Sequence, residues 1–119
     1  MNSPVFVFGS NLAGRHGAGA AKWAVEHRGA EYGVGCGLQG NSYAIPTKDA
    51  RLHSLSIPMI AEHVRRFIEF ACEHPEMRFQ LTPIGCGLAG YKPKDIAPLF
   101  KDAPDNVIQP AEFRPRLKP

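Results

Sequence analysis

The sequence lacks any apolar run close to the ~20 residues that a membrane-spanning helix needs, so no transmembrane segment is expected. Cysteine is scarce. Cys36, Cys72 and Cys86 are odd in number and form no Cys-x-x-Cys pair, which argues against a disulfide framework and for reduced thiols. His16, His27, His53, His63 and His74 are scattered, with no His-Glu-x-x-His motif, so no metal site is expected. No Gly-Lys-Ser or Gly-Lys-Thr follows a glycine loop, which excludes a P-loop. Dense Lys or Arg runs are missing too, and no stacking aromatics alternate with basic residues, as a nucleic-acid arm would require. The net charge of +3, part of it from Arg114, Arg116 and Lys118, argues only weakly for anionic partners. The opening MNSPVFVFGSN has no basic region and a short apolar stretch, so the expectation is no signal peptide and a cytoplasmic location.

What is present suits one small domain over 1–119, with a proline-containing surface tail over 110–119. Seven Phe, three Tyr and one Trp supply a core. Of the 12 glycines, all but Gly85, Gly87 and Gly90 fall between Gly9 and Gly40, which marks a site region rather than general looseness. Val5 to Phe8 reads as a buried strand running into the loop GSNLAGRHGAG, and a helix follows at about 18–28. Residues 30–41 form a second glycine stretch, and SYAIP at 42–46 reads as a strand. Ser56 and Pro58 open a helix in which Ile57, Ile60, Val64, Phe67, Ile68 and Ala71 recur at helical spacing, and Pro75 stops it. Strands at 78–84 and 106–109 flank a short helix at about 94–100. The alternation predicts an α/β fold: a three-layer α/β/α sandwich on a mostly parallel or mixed sheet.

The tetrapeptide Gly-Cys-Gly-Leu occurs at 35–38 and again at 85–88. Chance in a glycine-rich chain, or two loops bordering one ligand, both explain it. The spacing GxGxxG occurs at Gly35-Gly37-Gly40 and at Gly85-Gly87-Gly90. The first precedes a strand and the second is separated from its helix by Pro93, so neither is a dinucleotide-binding fingerprint.

Three loops leave the carboxyl ends of candidate parallel strands, at 9–19, 47–53 and 85–92. An open α/β sheet binds its ligand on that side. Exposed main-chain N–H groups and the positive end of the helix after Gly17 suit a phosphate, and a diphosphate better. Asn11 can hold a ribose hydroxyl or close an Asx turn. His16 can donate to phosphate or act as a base, or simply lie exposed. Lys48 can pair with phosphate or attack a sugar carbon, or be an ordinary surface lysine; Asp49 can orient ribose or Lys48, or cap a turn. Cys86 is a loop thiol or a small packing residue. Tyr91 can stack on a ligand or pack on the helix that follows.

Three stretches carry a resemblance: Phe8-Gly9-Ser10-Asn11-Leu12-Ala13-Gly14-Arg15-His16-Gly17-Ala18-Gly19-Ala20-Ala21, then Ile45-Pro46-Thr47-Lys48-Asp49, then Ile84-Gly85-Cys86-Gly87-Leu88-Ala89-Gly90-Tyr91. Over about residues 5–113 the chain resembles the macrodomains, ADP-ribose-binding α/β/α modules, and in particular small bacterial and phage macrodomain-like proteins. The resemblance implies that Asn11 and Gly17 through Ala20, with Gly9 and Ser10 before them, hold the distal ribose. It implies that Gly85, Cys86, Gly87, Leu88, Ala89, Gly90 and Tyr91 wrap the diphosphate. Thr47-Lys48 is similar to a Thr-Lys pair whose lysine is catalytic in members that remove ADP-ribose from glutamate or DNA bases. Ala89 stands where the glutamate-directed members carry an aspartate, and no early acidic residue matches the adenine contact of many macrodomains. The expected function is binding of ADP-ribose or a related diphosphate nucleotide, with glycohydrolase activity through Lys48, Asp49 and His16. A non-catalytic sensor or sequestering protein and a structural module on the same fold stay open, as does an ADP-ribosylated protein or nucleic acid as partner. No cofactor is expected.

Overall fold

The computed structural model describes residues 3–114. Its strands are β1 (Val5–Asn11), β2 (Gly37–Gln39), β3 (Ser42–Lys48), β4 (Phe79–Leu81) and β5 (Val107–Ile108). Its helices are α1 (Gly19–His27), α2 (Ile57–Glu73) and the single turn α3 (Pro93–Ile96), which tightens into a 3-10 turn at Ala97–Phe100. The sheet runs β2-β3-β1-β4-β5; β2 is antiparallel to β3 and the other pairings are parallel.

Strand residues alternate between the faces of a sheet, so β1 builds two cores at once. Val5 and Val7 join Tyr43, Ile45, Phe79 and Leu81 against Ile60, Val64, Phe67 and Ala71 of α2. Phe6 and Phe8 face the other way and pack with Ala44 against Ala21 and Ala24 of α1. The result is a three-layer α/β/α sandwich with the sheet between two apolar layers. The small alanines of α1 set that helix close to the sheet, while the aromatic layer under α2 carries most of the buried volume.

The boundaries of α2 follow from its ends. Ser56 caps it by accepting from the N–H of Met59, and the His74 N–H returns to Ala71 before Pro75. Arg65 pairs with Glu62 and Glu69 on the solvent side, where such pairs contribute little.

Several expectations need correcting. The strand expected at 78–84 is confined to Phe79–Leu81, because Thr82 turns both its N–H and its hydroxyl onto the Val7 carbonyl and Pro83 has no N–H to offer. The helix expected at about 94–100 is split, and β2 lies within the stretch read as a glycine loop. The surface tail expected over 110–119 begins with a core residue: Phe113 is fully buried and stacks on Phe100. Its remainder, with Arg116 and Lys118, lies outside the described residues. No helix among the described residues is long and apolar enough to cross a membrane.

Candidate functional site

β1, β3 and β4 are parallel, so their carboxyl ends open on one edge of the sheet. A cleft of about 780 Å³ lies there, within the range of small-molecule sites. Its floor and walls come from all three loops: Gly9 to Asn11 and Gly17 to Ala21 from the first, Thr47, Lys48 and Leu52 from the second, Thr82 to Ala89 from the third.

A bulge shapes the floor. Ser10 pairs with Pro46, but Asn11 pairs with Lys48, so the register slips by one residue at the end of β1. Such a bulge re-aims a strand end, and here it sets Asn11 beside Lys48. The Asn11 amide is used locally: Nδ2 donates to the Arg15 carbonyl and Oδ1 accepts the Arg15 N–H, both at 2.9 Å. Asn11 therefore holds the first loop in shape, and the ribose contact expected of it has to come from its second amide proton or second lone pair. Ser10 donates to the Gly35 carbonyl at 2.6 Å, and buried Thr47 donates to the Ser10 carbonyl at 3.4 Å.

Two rows of main-chain N–H groups border the cleft. α1 begins without a side-chain cap and without an acidic residue in its first turn. Among the described residues, no acceptor pairs with the N–H groups of Gly17, Ala18, Gly19 or Ala20. In the third loop, the Tyr91 N–H closes onto the Gly85 carbonyl and the Gly90 N–H onto the Gly87 carbonyl, leaving the N–H groups of Gly87, Leu88 and Ala89 likewise without a described acceptor. Gly85 makes the turn possible, because its φ of +75° is open to glycine and a Cβ there would press on Ile96 at 3.2 Å.

The charged groups at the cleft are Arg15, Lys48 and Glu112. The Lys48 side chain makes no ion pair or hydrogen bond with another side chain among the described residues. Asp49, its neighbour in sequence, turns away. Its carboxylate accepts the N–H groups of Arg51 and His53, each at 2.9 Å, and closes the 49–53 turn. The His53 N–H, followed by the Arg51 N–H and the nearby charges of His53 and Arg51, holds that carboxyl below its ordinary pKa against a small opposing effect of desolvation.

Four expected site residues do not line the cleft: His16, Asp49, Gly90 and Tyr91. His16 is buried, with Nε2 on the Val34 carbonyl at 2.9 Å and its ring edge on Phe8. A carbonyl accepts, so Nε2 is the protonated nitrogen. The Tyr91 hydroxyl donates to the Leu55 carbonyl at 2.5 Å, and its ring packs on the core beneath α2. Arg15, Tyr32 and Glu112 line the cleft and were not singled out from the sequence. Arg15 in the glycine loop was the readable signal among them. Among the described residues, no three His, Cys, Asp or Glu side chains gather to hold a metal.

No model of a known protein family matches the chain, and neither a curated protein nor a solved structure does.

Proposed function

We propose that the cleft binds a diphosphate nucleotide of the ADP-ribose class. The observation that carries this reading is the pair of N–H rows, Gly17–Ala20 and Gly87–Ala89, bordering one cleft without acceptors of their own. Main-chain donors at a helix start and in a glycine turn form an anion site, and two such rows suit two linked phosphates better than one. Arg15 and Lys48 add positive charge at the same opening. The apolar remainder of the wall, including Leu52, Ile84, Leu88 and Pro93, suits the faces of a base and sugars. The likeness of the three loops to those of macrodomains supports the same ligand class.

Lys48 favours a second reading that adds hydrolysis, since it is a lysine lining the cleft beside Asn11. In that step its amine bonds to the anomeric carbon as the bond to the leaving group breaks. The bonding pair and a proton go to the leaving group, and water then releases the sugar and restores Lys48. Ala89 brings no carboxylate to this step, and Asp49 is committed to its turn. A sensor or sequestering protein would use the same cleft without turnover.

Calorimetry with ADP-ribose, ADP and NAD tests the binding. Saturable single-site heat with ADP-ribose, and a rise in melting temperature with ligand, are expected. Silence with all three compounds overturns the reading. Incubating the protein and Lys48→Ala with ADP-ribosylated protein and ADP-ribosylated DNA tests turnover. Release by the parent and none by the variant, with binding kept, supports the enzyme; binding without release from either substrate leaves the sensor.

A further inference from the structure

Away from the cleft, a second cavity of about 90 Å³ lies between the β2–β3 edge and α2. Cys36, Tyr43, His63 and Arg66 line it, although they stand far apart in sequence. Gly37 pairs with Ala44, so Cys36 enters the sheet at the open end of the β2–β3 pair. His63 and Arg66 are three residues apart on α2 and so share one helix face above it.

Tyr43 supplies the observation that points to a ligand. It is only 8% exposed, with its ring against Phe67 and Phe70, and it borders the cavity. Its hydroxyl makes no hydrogen bond among the described residues. A buried hydroxyl without a partner is costly, so a donor here is poised for a small guest. Burial above all, and then the negative charge available to Cys36, push the Tyr43 pKa up against the opposing pull of Arg66, which keeps the phenol protonated and able to donate. Burial, and then the charge of Arg66, push the His63 pKa down against the weaker pull of Glu62, so its imidazole is neutral near pH 7 and can take a proton.

We propose that Cys36 is a peroxide-reactive thiol, with hydrogen peroxide or a similarly small hydroperoxide as its oxidant. An exposed thiol beside a guanidinium is the setting in which a thiolate is favoured and oxidation is site-selective. Size selects the oxidant. A water molecule's share of liquid is about 30 Å³, so the cavity admits a few small heavy atoms and no bulky disulfide. His63 takes the thiol proton. The sulfur attacks one peroxide oxygen; the S–O bond forms as the O–O bond breaks, and the electron pair leaves with the departing hydroxide. That hydroxide accepts hydrogen bonds from Tyr43 and Arg66, takes the proton back from His63 and leaves as water. Sulfur is oxidised to the sulfenic acid and the peroxide is reduced.

The full chain is treated with hydrogen peroxide in the presence of dimedone, and adducts at Cys36 and at the exposed Cys72 are followed by peptide mass spectrometry. Cys36 is expected to be trapped about tenfold faster than Cys72, the ordinary exposed thiol of the same molecule. Arg66→Gln and Tyr43→Phe are each expected to slow Cys36 several-fold with Cys72 unchanged. Arg66 is exposed, so its variant keeps the fold and the comparison stands if Tyr43→Phe is unstable. Equal trapping of Cys36 and Cys72, or a Cys36 rate untouched by Arg66→Gln, overturns the proposal.

Discussion

Ser54 donates its hydroxyl to the carbonyl of Ala89 at 2.6 Å, which ties the turn after β3 to the loop after β4. The next residue repeats the tie, since the Leu55 carbonyl accepts the Tyr91 hydroxyl. The two bonds bracket the Leu88–Gly90 segment and fix its amides before any ligand arrives, which lowers the ordering cost of binding. Tyr91→Phe is expected to lose about 1 kcal/mol of stability. Ser54→Ala is expected to leave stability nearly unchanged and to weaken ADP-ribose binding several-fold. Denaturant titration, calorimetry and amide exchange over 86–90 check this, with exchange faster in both variants.

The chain end is part of the core. Phe113 is fully buried against Phe100, so Phe113→Ala is expected to cost about 3–5 kcal/mol. A change within experimental error in chemical denaturation would mean that the segment does not dock as described.

The two glycine stretches interlock where Gly14 meets Gly33. A Cβ on Gly14, whose φ is +70°, would lie 2.3 Å from the Gly33 carbonyl carbon. Gly14→Ala is expected to prevent folding or to cost more than about 3 kcal/mol, since positive φ and main-chain overlap act together. Gly19→Ala, also at positive φ but in open space, is expected to cost about 1 kcal/mol. Equal effects from the two substitutions would contradict the interlock.

Acid weakens one turn. The folded pKa of Asp49 is depressed, so its stabilising contribution is present above the unfolded pKa and is lost as pH falls through the folded value. The melting-temperature difference between the parent and Asp49→Ala is expected to be larger at neutral pH than on the acid side of that titration. A pH-independent difference would contradict the turn closure.

β1 and α2 were legible in the sequence because each carries its own signal: a run of buried apolar residues ending at glycine, and a helical stripe with Ser56 and Pro75 at its ends. β2 was not, because three residues that include Gly37 have no pattern of their own and pair only because β3 lies beside them. The meeting of Asn11 with Lys48 was legible only as two strand ends; the bulge that aligns them is a tertiary event. His16 and Tyr91 show the limit from the other side. A loop histidine and a loop tyrosine look available for chemistry, yet carbonyls at Val34 and Leu55, invisible to local pattern, claim their polar atoms.

The most direct test follows the amide resonances of isotope-labelled protein during titration with ADP-ribose. Binding across the two N–H rows predicts that Gly17–Ala20 and Gly87–Ala89 shift together and saturate at one ligand concentration. Shifts confined to one row, or centred on residues outside the cleft, would contradict a diphosphate held between them.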